Sequence, residues 1–175
     1  MWSKIQLLNS NCSIKVIFFF MIIILLFHNC AWATGISSNQ QIDIPANADS
    51  YVIVGSSTNL GSHVTLDVYN SESEERVVII RFDVFNLSVN INTCTLRLKT
   101  NFVLTPHIVD VYGCTSTTWD EDKIRGSTLP SYEDQILDSQ NVNSTSQEFY
   151  DWDVTSWVQT HASFGNVTFI LLARR

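Results

Sequence analysis

The fold is decided by a short apolar stretch in the middle of the chain, Val77-Val78-Ile79-Ile80-Arg81-Phe82. Side chains of an extended chain alternate between two faces, and here both faces are apolar. The first four residues are β-branched, a class that is enriched in strands. The stretch therefore predicts a central strand that is covered on both sides.

Outward from this strand, the pattern changes to alternation of apolar and polar side chains. Residues Thr65–Tyr69 and Thr93–Lys99 both show it, and in the second Leu96 and Leu98 are expected to face the core. Residues Ile108–Tyr112 are predicted to form a hairpin with the second of these strands. Further strand candidates are Tyr51–Val54 and Val167–Leu172.

Helical signals are few. The irregular region 116–150 contains one predicted turn at Asp120–Ile124, and a second turn is predicted at residues 153–158. There Thr155 is expected to cap a short helix that has Val154, Trp157 and Val158 on one side. Many short strands with one or two short helical turns predict an all-β fold, a two-sheet antiparallel β-sandwich of jelly-roll type.

The N-terminus has the features of a secretory signal peptide. Lys4 and Lys15 precede an unbroken apolar stretch from Val16 to Phe27, and Ala31-Trp32-Ala33 offers small residues for cleavage after Ala33. The stretch is short for a membrane helix, and an uncleaved signal anchor is the alternative. We expect a leader at 1–33, a lead-in at 34–45 and one domain at 46–175, secreted to the extracellular space.

Charge argues against a nucleic-acid partner. The formal net charge is −7, and removal of a leader that contains two lysines and no acid makes it −9. No segment after the leader has the length and apolar character to cross a membrane.

Cysteine usage is consistent with export. Cys12 and Cys30 leave with the leader, and Cys94 and Cys114 remain as a single pair. We predict a disulfide between these two, although Cys114 is out of phase with its strand unless Gly113 forms a bulge. The alternative is two buried free thiols. Sequons for N-glycosylation occur at Asn86, Asn143 and Asn166.

Several fragments occur in the order that is typical of one extracellular module. They are Ala48-Asp49-Ser50-Tyr51-Val52, Asn59-Leu60-Gly61-Ser62, Ile80-Arg81-Phe82-Asp83, Cys94-Thr95-Leu96-Arg97-Leu98, Val111-Tyr112-Gly113, Trp119 with Glu121, and Trp152-Asp153-Val154-Thr155. From Ala46 to the C-terminus the chain resembles carbohydrate-binding module family 96, also described as the DNRLRE domain.

The resemblance implies a β-sandwich without catalytic activity that binds a polysaccharide, with alginate and related uronic-acid polymers as the best-known ligands. Such modules usually continue into a further terminal strand, so we expect either that an edge strand is missing here or that the sequence is incomplete. An open sheet edge favours self-association with another chain.

Binding of an acidic polymer by an acidic domain requires a local basic patch. Arg97 and Lys99 are the best candidates because they are two apart on one strand and share a face, and Arg81 or Arg76 on a neighbouring strand is expected to join them. The alternative is that these are ordinary solvated residues of an outer face.

Aromatic side chains are the second class of candidate, because flat rings pack against the C–H faces of sugars. We select Tyr132, Tyr150 and Trp152 in turn-rich segments. For Trp119 and Trp157 we expect a place in the core.

Acidic residues supply the candidates for a metal site and for catalysis. Asp49 and Asp153 lie in the strongest family fragments and are first choices for a structural Ca²⁺ site, and the alternative is that they cap turns. No catalytic motif is present in the sequence, and we predict no enzyme activity. The main alternative function is an extracellular structural or adhesive domain that binds no sugar.

Overall fold

The computed structural model describes residues 5–8, 13–19, 39–85, 87 and 91–175. Its strands are β1 (Ile5–Leu8), β2 (Ser13–Phe19), β3 (Asn39–Ile53), β4 (Thr65–Asn70), β5 (Glu75–Asp83), β6 (Ile91–Val103), β7 (His107–Cys114), β8 (Ile136–Val142), β9 (Phe149–Asp153) and β10 (Asn166–Ala173). One α-helix, α1 (Thr155–His161), and 3-10 turns at Gly126–Thr128 and Ala162–Phe164 complete the secondary structure of these residues. None of the helices in this part of the chain is long and apolar enough to cross a membrane.

The strands form two antiparallel sheets, which confirms the predicted all-β sandwich. Sheet I has the order β3-β5-β10-β7-β8. Sheet II has the order β3-β2-β6-β9, and β1 joins it by pairing with β6 on one side and with β4 on the other. Strand β3 belongs to both sheets: residues 39–45 pair with β2 and residues 46–53 pair with β5. This strand begins at Asn39, well before the predicted Tyr51.

The predicted central strand is confirmed as β5, which lies between β3 and β10. Its side chains Val78, Ile80 and Phe82 belong to the main core between the sheets. Val77 and Ile79 point the other way, into an outer cluster that the segment 115–135 covers with Trp119 and Ile124 among others. An apolar residue at nearly every position is therefore explained by two separate hydrophobic layers.

The predicted hairpin between the strands at Thr93–Lys99 and Ile108–Tyr112 is wrong. In the described residues β6 pairs with β1, β2 and β9, and β7 pairs with β10 and β8. The chain crosses from sheet II to sheet I between them. The turn near Pro106 therefore connects the two sheets and does not close a hairpin.

The predicted disulfide is wrong as well, because Cys94 and Cys114 are both buried free thiols. Cys94 belongs to the main core, whereas Cys114 belongs to the outer cluster on the far face of sheet I. The sulfur of Cys114 lies 3.4 Å from the carbonyl oxygen of Ser131. A sheet thus separates the two side chains.

Two further details differ from the sequence-based expectations. The irregular region 116–150 contains a regular strand, β8. The Thr155 hydroxyl does not cap α1; its oxygen accepts a hydrogen bond from the Cys94 amide at 2.8 Å and so links the helix to β6. The helix face itself is confirmed, since Trp157 and Val158 are buried.

The predicted leader is only partly described. Its cleavage site after Ala33 and the sequon at Asn86 lie outside the described residues. Strands β1 and β2 fall within the predicted leader. Both pair with β6, β2 with residues 91–97 and β1 with residues 100–103.

Candidate functional site

Basic and aromatic side chains meet on the outer face of sheet II, where β6 pairs with β9. In this antiparallel pairing Arg97 lies opposite Asp151, and Lys99 lies opposite Phe149. The leucines that alternate with them on β6 are buried in the core, so the four side chains share the outer face. We call these four residues the ribbon platform.

The Phe149 ring is the centre of the platform, and 48% of the residue is exposed. The guanidinium carbon of Arg97 lies 5.4 Å from the ring centroid, and Nζ of Lys99 lies 5.7 Å from it. Both distances are in the range of cation–π attraction. The two cations are therefore held close to an exposed aromatic ring.

The two cations differ in how far their charge is balanced. Arg97 donates two hydrogen bonds to the Asp151 carboxylate, from Nε at 2.6 Å and from Nη2 at 2.5 Å. These bonds raise the pKa of Arg97 above its usual value, and the charge of Asp43 adds to the effect. Lys99 forms no ion pair with any residue that the structure describes, so its charge remains available to a bound anion.

Arg81 and Tyr132 do not join the platform, because both lie over the outer face of sheet I. Arg81 donates from Nη1 to the carbonyl of Trp119 at 2.7 Å, and its guanidinium lies 5.2 Å from the Trp119 ring. Tyr132 packs 5.3 Å from Tyr112 over the outer cluster, and burial is the main cause of its raised pKa. Both residues hold the segment 115–135 against the sheet.

Tyr150 and Trp152 are close to the platform but face inward. Trp152 is completely buried and donates its indole N–H to the carbonyl of Val109 at 3.0 Å, so its selection as a sugar-binding residue is wrong. Tyr150 is half-buried, and its hydroxyl accepts hydrogen bonds from the amides of Asn143 and Ser144. Phe149, which sequence analysis did not select, is the aromatic residue of β9 with the exposed ring. Side chains of a strand alternate between its two faces, so an inward Trp152 implies an outward Phe149 three residues earlier.

A second candidate site is a pocket of about 500 Å³ at the end of the sandwich, beside α1. The lining side chains that matter here are Thr115, Thr117, Trp157, His161, Phe164 and Asn166. We call it the end pocket. These residues come from two stretches, 115–117 and 157–166, which are far apart in the sequence, and so no single local motif could have revealed the pocket.

The wall of the end pocket is aromatic. The His161 ring stacks on Trp157 with 3.7 Å between ring centroids, and Phe164 lies 6.0 Å from His161 with 70% of its surface exposed. Trp157 is mostly buried, as predicted, yet its indole N–H has no hydrogen-bond partner among the described residues. The pocket therefore has an exposed aromatic ring on its wall, with the indole N–H of Trp157 buried beneath it.

The two predicted calcium ligands are not brought together. Asp49 lies in sheet I opposite Ile80, whereas Asp153 lies in sheet II opposite Thr95. Asp153 accepts a hydrogen bond from the Thr155 amide at 2.9 Å, the arrangement of a turn cap. In the described part of the chain, no group of three or more His, Cys, Asp or Glu side chains could hold a metal ion.

Asp49 nevertheless stands out among the acidic residues. It is only 5% exposed, and its Oδ1 has no hydrogen-bond partner in the described structure. Its neighbour is Glu121, whose Oε2 accepts a hydrogen bond from the Asp49 amide at 3.2 Å. Burial and, secondarily, the charge of Glu121 raise the pKa of Asp49 to about 6. Two carboxylates thus meet where water is largely excluded.

Comparison with known proteins adds one finding. A search of curated proteins gave no match. The model of carbohydrate-binding module family 96 matches residues 40–175, which include the ribbon platform, the end pocket and every strand from β4 to β10. The chain belongs to carbohydrate-binding module family 96.

Proposed function

We propose that the protein is a secreted, non-catalytic module that binds an acidic, alginate-like polysaccharide on the ribbon platform. Membership of a carbohydrate-binding module family supports the class of function. The observation that carries the choice of surface is the exposed Phe149 ring beside Lys99, which forms no ion pair with a described residue.

The chemistry of uronic-acid polymers matches this group of side chains. Each sugar presents a C–H face that can pack on an aromatic ring, and a carboxylate that can pair with a cation. An open face on a flat ribbon suits an extended polymer better than a closed cavity does. Because the rest of the domain is acidic, we expect binding to depend on these local contacts and to weaken as salt is added.

The test is a glycan array that includes alginate, pectin, cellulose and chitin, followed by affinity measurements on alginate. We expect Lys99→Ala and Phe149→Ala each to weaken alginate binding about tenfold, since each removes one contact of about 1.4 kcal/mol. Lys123→Ala is the matched control, because Lys123 is exposed but lies on another loop, paired with Asp120. Unchanged affinity in both platform variants would place the site elsewhere.

We propose Asp49 and Glu121 as the first ligands of a structural Ca²⁺ site. Ca²⁺ takes oxygen ligands, and the free Oδ1 of Asp49 beside a second carboxylate supplies the start of such a set. The carbonyl oxygen of Glu121 accepts a hydrogen bond from the Asn59 side chain at 2.8 Å, which fixes the loop on which Glu121 lies. Asp153 is left out of this proposal because its carboxylate caps a turn.

Secretion is tested by the intact mass of the protein released from eukaryotic cells, which should begin at Thr34. The alternative function, a structural or adhesive domain, would be supported by self-association together with silence on the glycan array. Release of soluble product from a bound glycan would contradict the non-catalytic proposal.

A further inference from the structure

We infer that Asn166 carries an N-linked glycan whose first N-acetylglucosamine packs on Phe164 and covers the end pocket. The inference rests on the proposed secretion, because this modification is made in the secretory pathway. It concerns a different surface from the ribbon platform, which lies on sheet II.

The local backbone places Phe164 and Asn166 side by side. Gly165 lies between them with φ of 83°, a left-handed conformation that glycine adopts readily, and its amide donates to the carbonyl of Ala162 at 3.0 Å. The chain thereby turns sharply from the 3-10 turn into β10. Both Phe164 and Asn166 line the end pocket as a result.

The Asn166 side chain leaves its amide nitrogen available for a glycan. Its Oδ1 accepts a hydrogen bond from Nδ2 of Asn47 at 3.4 Å. Its own Nδ2, the atom that bears the sugar in an N-linked glycan, has no hydrogen-bond partner among the residues that the structure describes. A sugar on Nδ2 therefore starts at the wall of the pocket without breaking an existing contact.

The pocket offers what a first sugar needs. Its volume of about 500 Å³ is within the usual range of small-molecule sites. The exposed Phe164 ring can pack against the C–H face of the sugar. Such a sugar would also cover part of an exposed apolar patch, since Phe85 beside Gly165 is 78% exposed.

The covalent step uses a lipid-pyrophosphate-linked oligosaccharide as donor. A bond forms between Nδ2 of Asn166 and C1 of the first sugar, and the amide loses one proton. The bond between C1 and the pyrophosphate oxygen breaks, so that the lipid pyrophosphate leaves. Thr168, the third residue of the sequon, is completely buried in β10, and the transfer must therefore precede folding.

The experiment begins with the full chain secreted from eukaryotic cells and analysed by glycopeptide mass spectrometry. We expect a glycan on Asn166. We then compare thermal unfolding of the intact glycoprotein, of protein trimmed to one N-acetylglucosamine, and of protein with the glycan fully removed. Trimming should change the unfolding midpoint little, and full removal should lower it by about 2 to 4 °C.

A double-mutant cycle assigns the effect to the ring. Phe164→Ala should lower the midpoint in the glycosylated protein but have little effect in the Asn166→Gln background. Asn143→Gln is the matched control, because Asn143 is an exposed loop sequon whose residue two positions earlier, Asn141, is not aromatic. An unoccupied Asn166, or additive effects of the two substitutions, would overturn the inference. Alginate binding is measured on the same samples, so failure of the proposed function is seen separately.

Discussion

At the scale of single residues, Asp49 is a buried carboxyl group whose environment disfavours the ionised form. It is buried beside Glu121, and its pKa is raised to about 6. Because its pKa is raised, the Asp49 carboxyl group holds its proton more tightly in the folded state than in the unfolded chain. The fold is therefore more stable at low pH, where the group is protonated in both states. That extra stability is lost as the pH rises through about 6.

Asp49→Asn tests this environment in two ways. In EDTA, the unfolding midpoint of the wild type should fall relative to that of the variant between about pH 4 and about pH 6.5, by about 2 to 4 °C. Added Ca²⁺ should cancel the difference in the wild type and leave the variant unchanged, because the cation neutralises the carboxylate. Differential scanning calorimetry makes the measurement. Parallel pH profiles for the two proteins would show that the pKa of Asp49 is not raised in the fold.

The predictability of the site is also a matter of single residues. Strand alternation correctly placed Arg97 and Lys99 on an outer face, because Leu96 and Leu98 fixed the phase of β6. No comparable signal fixed the phase of β9, where Phe149 and Trp152 are both aromatic. Trp152 is completely buried and donates its indole N–H to the carbonyl of Val109, and Phe149 is the exposed ring.

At the scale of elements, Gly113 shows how one strand is shaped by its neighbour. The predicted disulfide required a bulge at this glycine to turn Cys114 toward Cys94. The structure shows regular pairing of Gly113 with Phe169 of β10, without a register shift. A Cβ atom at this position would lie 2.3 Å from the Trp157 ring, so the glycine is required by the packing of α1 on β7.

Gly113→Ala should therefore destabilise the fold by about 1 to 3 kcal/mol, the usual cost of overpacking. Urea denaturation followed by circular dichroism measures the loss. In a Trp157→Leu background the same substitution should cost less, because the smaller side chain leaves room for the methyl group. An equal cost in both backgrounds would mean that the strain lies elsewhere.

The buried thiols allow a second prediction at this scale. Burial, with a smaller effect of Asp153, raises the pKa of Cys94 to about 12, and burial also raises the pKa of Cys114. Both thiols should resist iodoacetamide in the native protein and react after unfolding in guanidinium without reductant. Mass spectrometry counts the labels. A requirement for reductant before labelling would indicate a disulfide after all.

At the scale of the whole molecule, the class of fold follows from local patterns but the topology does not. The apolar stretch at β5 predicts a strand covered on both faces, and this holds because segment 115–135 supplies a second layer. Strand pairing depends on contacts between distant residues. The crossing from β6 in one sheet to β7 in the other therefore leaves no local trace in the alternation of either strand.

The last prediction concerns the strands that lie in the expected leader. Strands β1 and β2 both run antiparallel to β6, and β2 also pairs with residues 39–45 of β3. Cleavage after Ala33 would remove them and leave the backbone of 39–45 and 91–97 without these partners. Open edges of this kind pair with other strands, so we expect the cleaved protein to self-associate through this sheet.

Secreted protein that begins at Thr34 should accordingly form dimers or larger species as its concentration rises, and protein that retains the leader should remain monomeric. Light scattering after size exclusion measures the mass across a dilution series. Thr93→Lys should suppress association, because Thr93 is exposed on β6 opposite Ile17 and a charge there opposes edge pairing. Thr128→Lys, on an exposed 3-10 turn, is the control and should associate like the wild type. A cleaved protein that is monomeric at every concentration would show that the remaining strands close the edge by themselves.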